Sequence, residues 1–193
     1  AQIVTYEKSS NVNDKNEFVF SSPYYKVALI QGNEVVSTPV YAMNAMHVTN
    51  NSKSTSWTNF SFQGTIKVRV VLLKSKVNFV QILPRISETK VQIVNDTTIE
   101  FEITKAGYYS VEFEKGIFIE HPLLLFANPL EKDIPKRTDK NVIYFEPGFH
   151  EIGDKYIIPS NTTVYIAGGA YVKGQFYAEN AQNIKIKGRG ILS

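Results

Sequence analysis

The residues of this chain that could do chemistry are few and scattered. His47, His121 and His150 are far apart and lack the His-x-His or His-Glu-x-x-His spacing that sets two imidazoles on one metal ion. Structural or surface roles are expected of them, and no metal site. There is no cysteine, so neither a thiolate metal site nor a disulfide framework can form. Gly168-Gly169 would need a Lys-Ser pair in register and a helix N-terminus to cradle phosphate, and neither follows. No cofactor is expected.

Other side chains admit a sharp and a bland reading. Glu146, Glu151, Asp154 and Glu179 could serve acid–base work, but they sit beside turn-forming residues and read as solvated turn positions. Trp57, the lone tryptophan, could stack on a sugar ring. It also precedes Phe60 and Phe62 closely, which favours packing at the entry or flank of a strand, over the core. Tyr24, Tyr25 and Tyr41 could form an aromatic patch, but tyrosines in strands more often pack. Lys173, Lys185, Lys187 and Arg189 could attract an acidic polysaccharide. Lys185 and Lys187 alternate with Ile184 and Ile186, as outward positions must, so a solvated face is favoured over a groove. No catalytic or substrate-binding residue is assigned.

The elements that must position these residues are strands. From Tyr24 to Phe126 the signal is period two, broken by Gly, Asn, Ser and Pro. Ile66, Val68, Val70 and Leu72 fall on one face and Lys67 and Arg69 on the other; Ile99, Phe101 and Ile103 alternate with Glu100 and Glu102. Turn residues at Val94-Asn95-Asp96-Thr97 and Lys105-Ala106-Gly107 predict successive hairpins. Roughly eight or nine strands before Asn128, with no amphipathic helix, make residues 1–128 an antiparallel β-sandwich. Residues 129–141, charged and punctuated by proline, read as a linker.

After Asn141 the pattern changes. Val142-Ile143-Tyr144, Val164-Tyr165-Ile166 and Ile184-Lys185-Ile186 begin about 20 to 22 residues apart, within the range of solenoid repeats. Secondary strands at Tyr156-Ile157-Ile158 and Ala170-Tyr171-Val172 lie between them. Pro147-Gly148, Gly153-Asp154, Gly168-Gly169 and Gly188-Arg189-Gly190 are the expected corners, where glycine supplies positive φ or close approach. Residues 142–193 are therefore read as the first turns of a right-handed parallel β-helix, left incomplete.

Composition narrows the partners. The chain has 193 residues, 43% of them hydrophobic, and a net charge of +3, enough apolar content for a real core. The charge is spread along the chain instead of gathered in a stripe, which argues against nucleic acid. No apolar run approaches the ~20 residues of a membrane span, so no membrane is expected. Asn-x-Ser/Thr acceptors at Asn50, Asn59, Asn95 and Asn161 arise readily by chance in such a composition, and glycosylation is not assigned. The start at Ala1-Gln2 without methionine fits signal-peptide removal and equally a trimmed chain.

The stretch Asn141-Val142-Ile143-Tyr144-Phe145-Glu146-Pro147-Gly148-Phe149-His150 resembles the entry to the β-helix of polygalacturonase-like and dextranase-like glycoside hydrolases of the pectin-lyase fold. The run Ile158 to Gly174, containing Val164-Tyr165-Ile166-Ala167-Gly168-Gly169-Ala170-Tyr171-Val172, follows in order, and then Asn183 to Leu192, containing Gly188-Arg189-Gly190. The preceding domain, ending Leu125-Phe126-Ala127-Asn128-Pro129, is similar to the N-terminal domain of the same bacterial enzymes. The resemblance implies a secreted or periplasmic hydrolase that cleaves polysaccharide with one carboxylic acid and one carboxylate. No position here matches the family's paired aspartates, so the catalytic carboxylates are expected downstream of Ser193 and this segment alone is expected to be inactive. The polysaccharide would meet the helix turns that are missing.

A solenoid needs about three coils and a cap, so an open helix end is expected here, a surface for association. Two other functions stay open: a noncatalytic carbohydrate-binding or adhesion module, and a polysaccharide lyase using calcium and a basic residue.

Overall fold

A computed structural model describes residues 2–9, 12, 18–44, 54–84, 90–116 and 119–193. His47 and the acceptor Asn50 lie outside the described residues. The strands in chain order are β1 (Gln2–Thr5), β2 (Phe20–Ser21), β3 (Tyr25–Gln31), β4 (Glu34–Thr38), β5 (Tyr41–Asn44), β6 (Ser54–Gln63), β7 (Ile66–Leu72), β8 (Gln81–Leu83), β9 (Val91–Asn95), β10 (Thr98–Ile103), β11 (Gly107–Glu112), β12 (Leu123–Pro129), β13 (Val142–Phe145), β14 (Gly148–Ile157), β15 (Thr163–Ile166), β16 (Ala170–Tyr177), β17 (Lys185–Gly188) and β18 (Ile191–Leu192). Among the described residues there is no helix, and so none able to cross a membrane. The chain divides into two compact units, Ala1–Tyr6 with Asn13–Leu130, and Glu7–Val12 with Glu131–Ser193.

The first unit holds two sheets. One runs β2-β5-β6-β12-β11-β8, with β1 also on β6; the other runs β4-β3-β7-β10-β9. Alternation does the sorting, since Ile66, Val68, Val70 and Leu72 are buried while Lys67 and Arg69 stay partly exposed. Leu29, Val68, Ile99 and Phe101 from one sheet join Phe60, Val111, Leu123 and Leu125 from the other in one apolar cluster. Thr38 and Thr58, one from each sheet, share a buried hydroxyl hydrogen bond of 2.8 Å. Each large side chain so buried contributes about 1.5–3 kcal/mol.

The chain departs from successive hairpins at Lys105-Ala106-Gly107. The strand β10 belongs to the five-stranded sheet and β11 to the other, so this connection crosses between sheets. The Tyr109 hydroxyl donates to the Lys105 carbonyl at 2.7 Å, pinning the crossover as tyrosine corners do. The turn at 94–97 does close a hairpin, and Asn95 Oδ1 accepts from the Thr97 amide at 2.9 Å. Twelve strands precede Leu130 among the described residues, more than the pattern suggested, because β1, β2 and β8 are too short to show a period.

The second unit has two three-stranded parallel sheets, β13-β15-β17 and β14-β16-β18, whose strands alternate along the chain. Val142 stands beside Thr163 and Thr163 beside Lys185, while Phe149 stands beside Tyr171 and Tyr171 beside Ile191. Phe145, Ile158, Val164, Ile166, Ala170 and Val172 form its core. Asn161 and Asn183 both adopt positive φ, 61° and 56°, and the Asn183 Nδ2 donates to the Asn161 Oδ1 at 2.8 Å. Asparagine tolerates this conformation because its short polar side chain bonds locally. Gly153 is not a corner, contrary to the reading of Gly153-Asp154: it lies within β14, where register shifts on both sides mark an irregularity and its φ is +71°.

Candidate functional site

A hydrolytic site needs a carboxyl held protonated beside one held ionised. The acidic residues of the second unit are placed otherwise. Glu146 pairs with Arg137, Glu151 faces Lys173 at 3.9 Å on neighbouring strands, and Glu179 accepts from the Tyr177 hydroxyl at 2.8 Å. Glu151 and Asp154 are exposed on β14, on either side of the irregularity at Gly153. The structure does not bring these four together as a pair.

The strongest polar cluster lies on the outward face of the five-stranded sheet. Glu100 is buried, accepts from Arg69 Nε at 2.7 Å and meets Lys67 Nζ at 3.2 Å. Lys67 and Glu100, with Lys90, Gln92 and Glu102, line a hollow of about 280 Å³. The Arg69 hydrogen bond, aided by Lys67, holds the Glu100 carboxyl below its ordinary range against the opposing effect of desolvation. Glu100 is thus a permanent anion at neutral pH and cannot act as a proton donor.

A pH prediction follows from that depression. A carboxylate whose pKa falls on folding stabilises the fold above its unfolded value and loses that contribution as pH drops. Thermal stability is expected to fall as pH is lowered below about 4.5, and Glu100→Gln should be less stable at pH 7 with a shallower decline. Parallel pH profiles of the two proteins would refute the assignment.

The remaining sequence candidates are structural. The His121 ring stacks on Tyr24 at 4.0 Å and its Nδ1 bonds the Ser54 hydroxyl at 2.9 Å. His150 Nε2 bonds the Glu146 carbonyl at 2.7 Å. Tyr25 donates to the His121 carbonyl at 2.5 Å, and burial pushes its phenol above the usual range. Tyr41 is not part of that group: it stacks on Trp57 at 5.6 Å, and burial pushes it up to about 12. Lys173, Lys185 and Lys187 are exposed, and Lys187 donates to the Asp133 carbonyl at 2.7 Å.

Trp57 departs from its expected place. It stands mid-strand on β6, on the face opposite Phe60 and Phe62, because it lies an odd number of residues from both. That parity was readable. Tyr108, Phe126 and Asn128, which share that outward face, were not singled out as site candidates from sequence, and Asn59 was noted only as a glycosylation acceptor; their signal is the same odd–even count along β11, β12 and β6.

No protein-family model matches the chain. It is 27% identical over 178 residues to an isopullulanase of Aspergillus niger, covering 74% of this chain and 32% of that protein. It is 41% identical over 61 residues to a dextranase of an Arthrobacter species and 42% identical over 57 residues to a dextranase of Arthrobacter globiformis, covering 29% and 27% of this chain and 10% and 9% of those proteins. The solved structure of Dex49A from Penicillium minioluteum matches the whole chain and half of its own length, with a TM-score of 0.73 at 20% identity. The chain spans about a third of the isopullulanase, and the likeness to Dex49A is one of fold. In sequence and in fold, the chain resembles a region of dextranase-like glycoside hydrolases.

Proposed function

We propose that this chain is the leading segment of a secreted or periplasmic glycoside hydrolase that cleaves polysaccharide glycosidic bonds, with the catalytic carboxylates beyond Ser193. In this reading residues 1–128 are a β-sandwich, 129–141 a linker, and 142–193 the first coils of a right-handed parallel β-helix. The observation that carries it is the combination of curated relatives named for dextran and pullulan cleavage with a fold match that spans the whole of this chain and half of Dex49A. Glu146, Glu151, Asp154 and Glu179 support it from the other side, since they are bound to cations or exposed instead of paired as acid and base. No catalytic, metal or cofactor residue is assigned to this segment.

In an assay of reducing-end release from dextran and pullulan, the segment alone is expected to be inactive and a product extended beyond Ser193 to be active. Activity in the segment would overturn the site assignment. Binding without cleavage by the extended protein would favour a noncatalytic module, and an unsaturated product absorbing in the ultraviolet would replace hydrolysis by elimination.

A further inference from the structure

The two sheets of the first unit turn very different faces away from their shared core. That of the five-stranded sheet carries Lys26, Lys67, Arg69, Glu100 and Glu102. On the seven-stranded sheet, strand pairing sets Tyr108 beside Phe126, Phe126 beside Asn59, and Leu124 beside Trp57. These positions alternate with the buried Tyr109, Leu123, Leu125 and Phe60, so all five face away from the core. Among the described strand residues of this face the one charged side chain is Glu112, beyond Ser110, with its carboxylate bonded by Gln81 and Ser110 at 2.6 and 2.9 Å.

We infer that this face of the first unit, centred on Tyr108, Phe126, Asn59 and Asn128, is a binding site for a neutral polysaccharide. Tyr108 is 72% exposed, an unusual position for so large an aromatic surface. Its ring meets Phe126 edge-on with centroids 5.5 Å apart, which keeps the tyrosine standing. Further along the same face Trp57 stacks on the buried Tyr41. Asn128 Nδ2 donates to Asn59 Oδ1 at 2.8 Å and to the Phe126 carbonyl at 2.9 Å, which fixes both amides next to the aromatic pair.

The chemistry selects the ligand. A pyranose presents polarised C–H groups on its flat face, which suit the negative face of an aromatic ring, and hydroxyls on its rim, which can donate to an amide oxygen such as Asn128 Oδ1. A polyanion would find no cation on these strands and one carboxylate, Glu112, so an acidic chain gains nothing from Coulomb attraction there. A neutral glucan is the fitting occupant, and the choice of dextran and pullulan as probes rests on the function proposed above.

The test is affinity electrophoresis of the whole chain in native gels containing dextran, pullulan or polygalacturonate. Retardation by one of the neutral glucans is expected, and Tyr108→Ala should weaken it about tenfold, an exposed change that leaves the core untouched. Lys26→Ala, on the other sheet, should be retarded in the same proportion as the unaltered chain when each is compared with its own mobility in a gel without glucan. No retardation by either glucan, retardation by polygalacturonate alone, or an unchanged Tyr108→Ala would each overturn the site. Cleavage by an extended product without retardation of this chain would remove the site and leave the hydrolase reading standing. Retardation lost in Tyr108→Ala, with no cleavage by the extended product, would establish the site and remove that reading.

Discussion

A Gly188→Ala chain is expected to lose about 2–6 kcal/mol of stability in its second unit. Two effects add. Gly188 has φ +134°, a conformation that a residue with a Cβ rarely adopts. A Cβ there would also strike the backbone carbonyl of Ile166, its neighbour in the parallel ladder, and backbone cannot yield as the tip of a side chain can. Gly148 separates the two contributions: its φ is +126° but a Cβ would meet nothing within 4 Å. Gly148→Ala should therefore cost only the conformational part, about 1–3 kcal/mol. Hydrogen exchange of the β15 and β17 amides reads both variants. Equal loss of protection in the two would show that the stacked approach of the strands does not constrain Gly188.

Phe101→Ala is expected to destabilise the first unit by about 3–5 kcal/mol, a large share of the stability of an ordinary domain. Phe101 is almost wholly buried, and it lies in the cluster that both sheets of that unit share. Removing the ring deletes its transfer free energy and leaves a cavity that strands hydrogen-bonded on both sides of β10 cannot close. Trp57 is the one tryptophan and is half-buried on β6 of the same unit, so its fluorescence in a urea titration follows the transition. Val35→Ala, at a position 57% exposed, should shift the midpoint by no more than about 0.5 kcal/mol. A Phe101→Ala midpoint indistinguishable from that of Val35→Ala would mean the sheets do not share the core described.

The candidate sites were legible to very different degrees. Lys185 and Lys187 are exposed, but Ile186 between them is 52% exposed as well, so alternation does not sort the faces of β17. Glu100 could be set on the polar face of its strand, but its burial between Lys67 and Arg69 could not be seen, because those cations come from a strand distant in sequence. The same limit hid the aromatic–amide face: Tyr108, Phe126 and Asn59 come from β11, β12 and β6, and only pairing brings them side by side.

By itself the sequence determined which residues of β7 and β10 face inward, since a period of two is a property of each strand alone. It also separated alternating strands before Asn128 from a recurring interval after Asn141, since each repeat carries its own turn residues. Tertiary structure alone decided which strand lies beside which: that β12 runs parallel to β6, that β1 joins β6 past the end of β5, and that β10 hands over to β11 across the two sheets. A strand's two edges carry the same backbone donors and acceptors whatever its side chains, so its neighbour is selected by how the whole set of apolar faces can be buried at once.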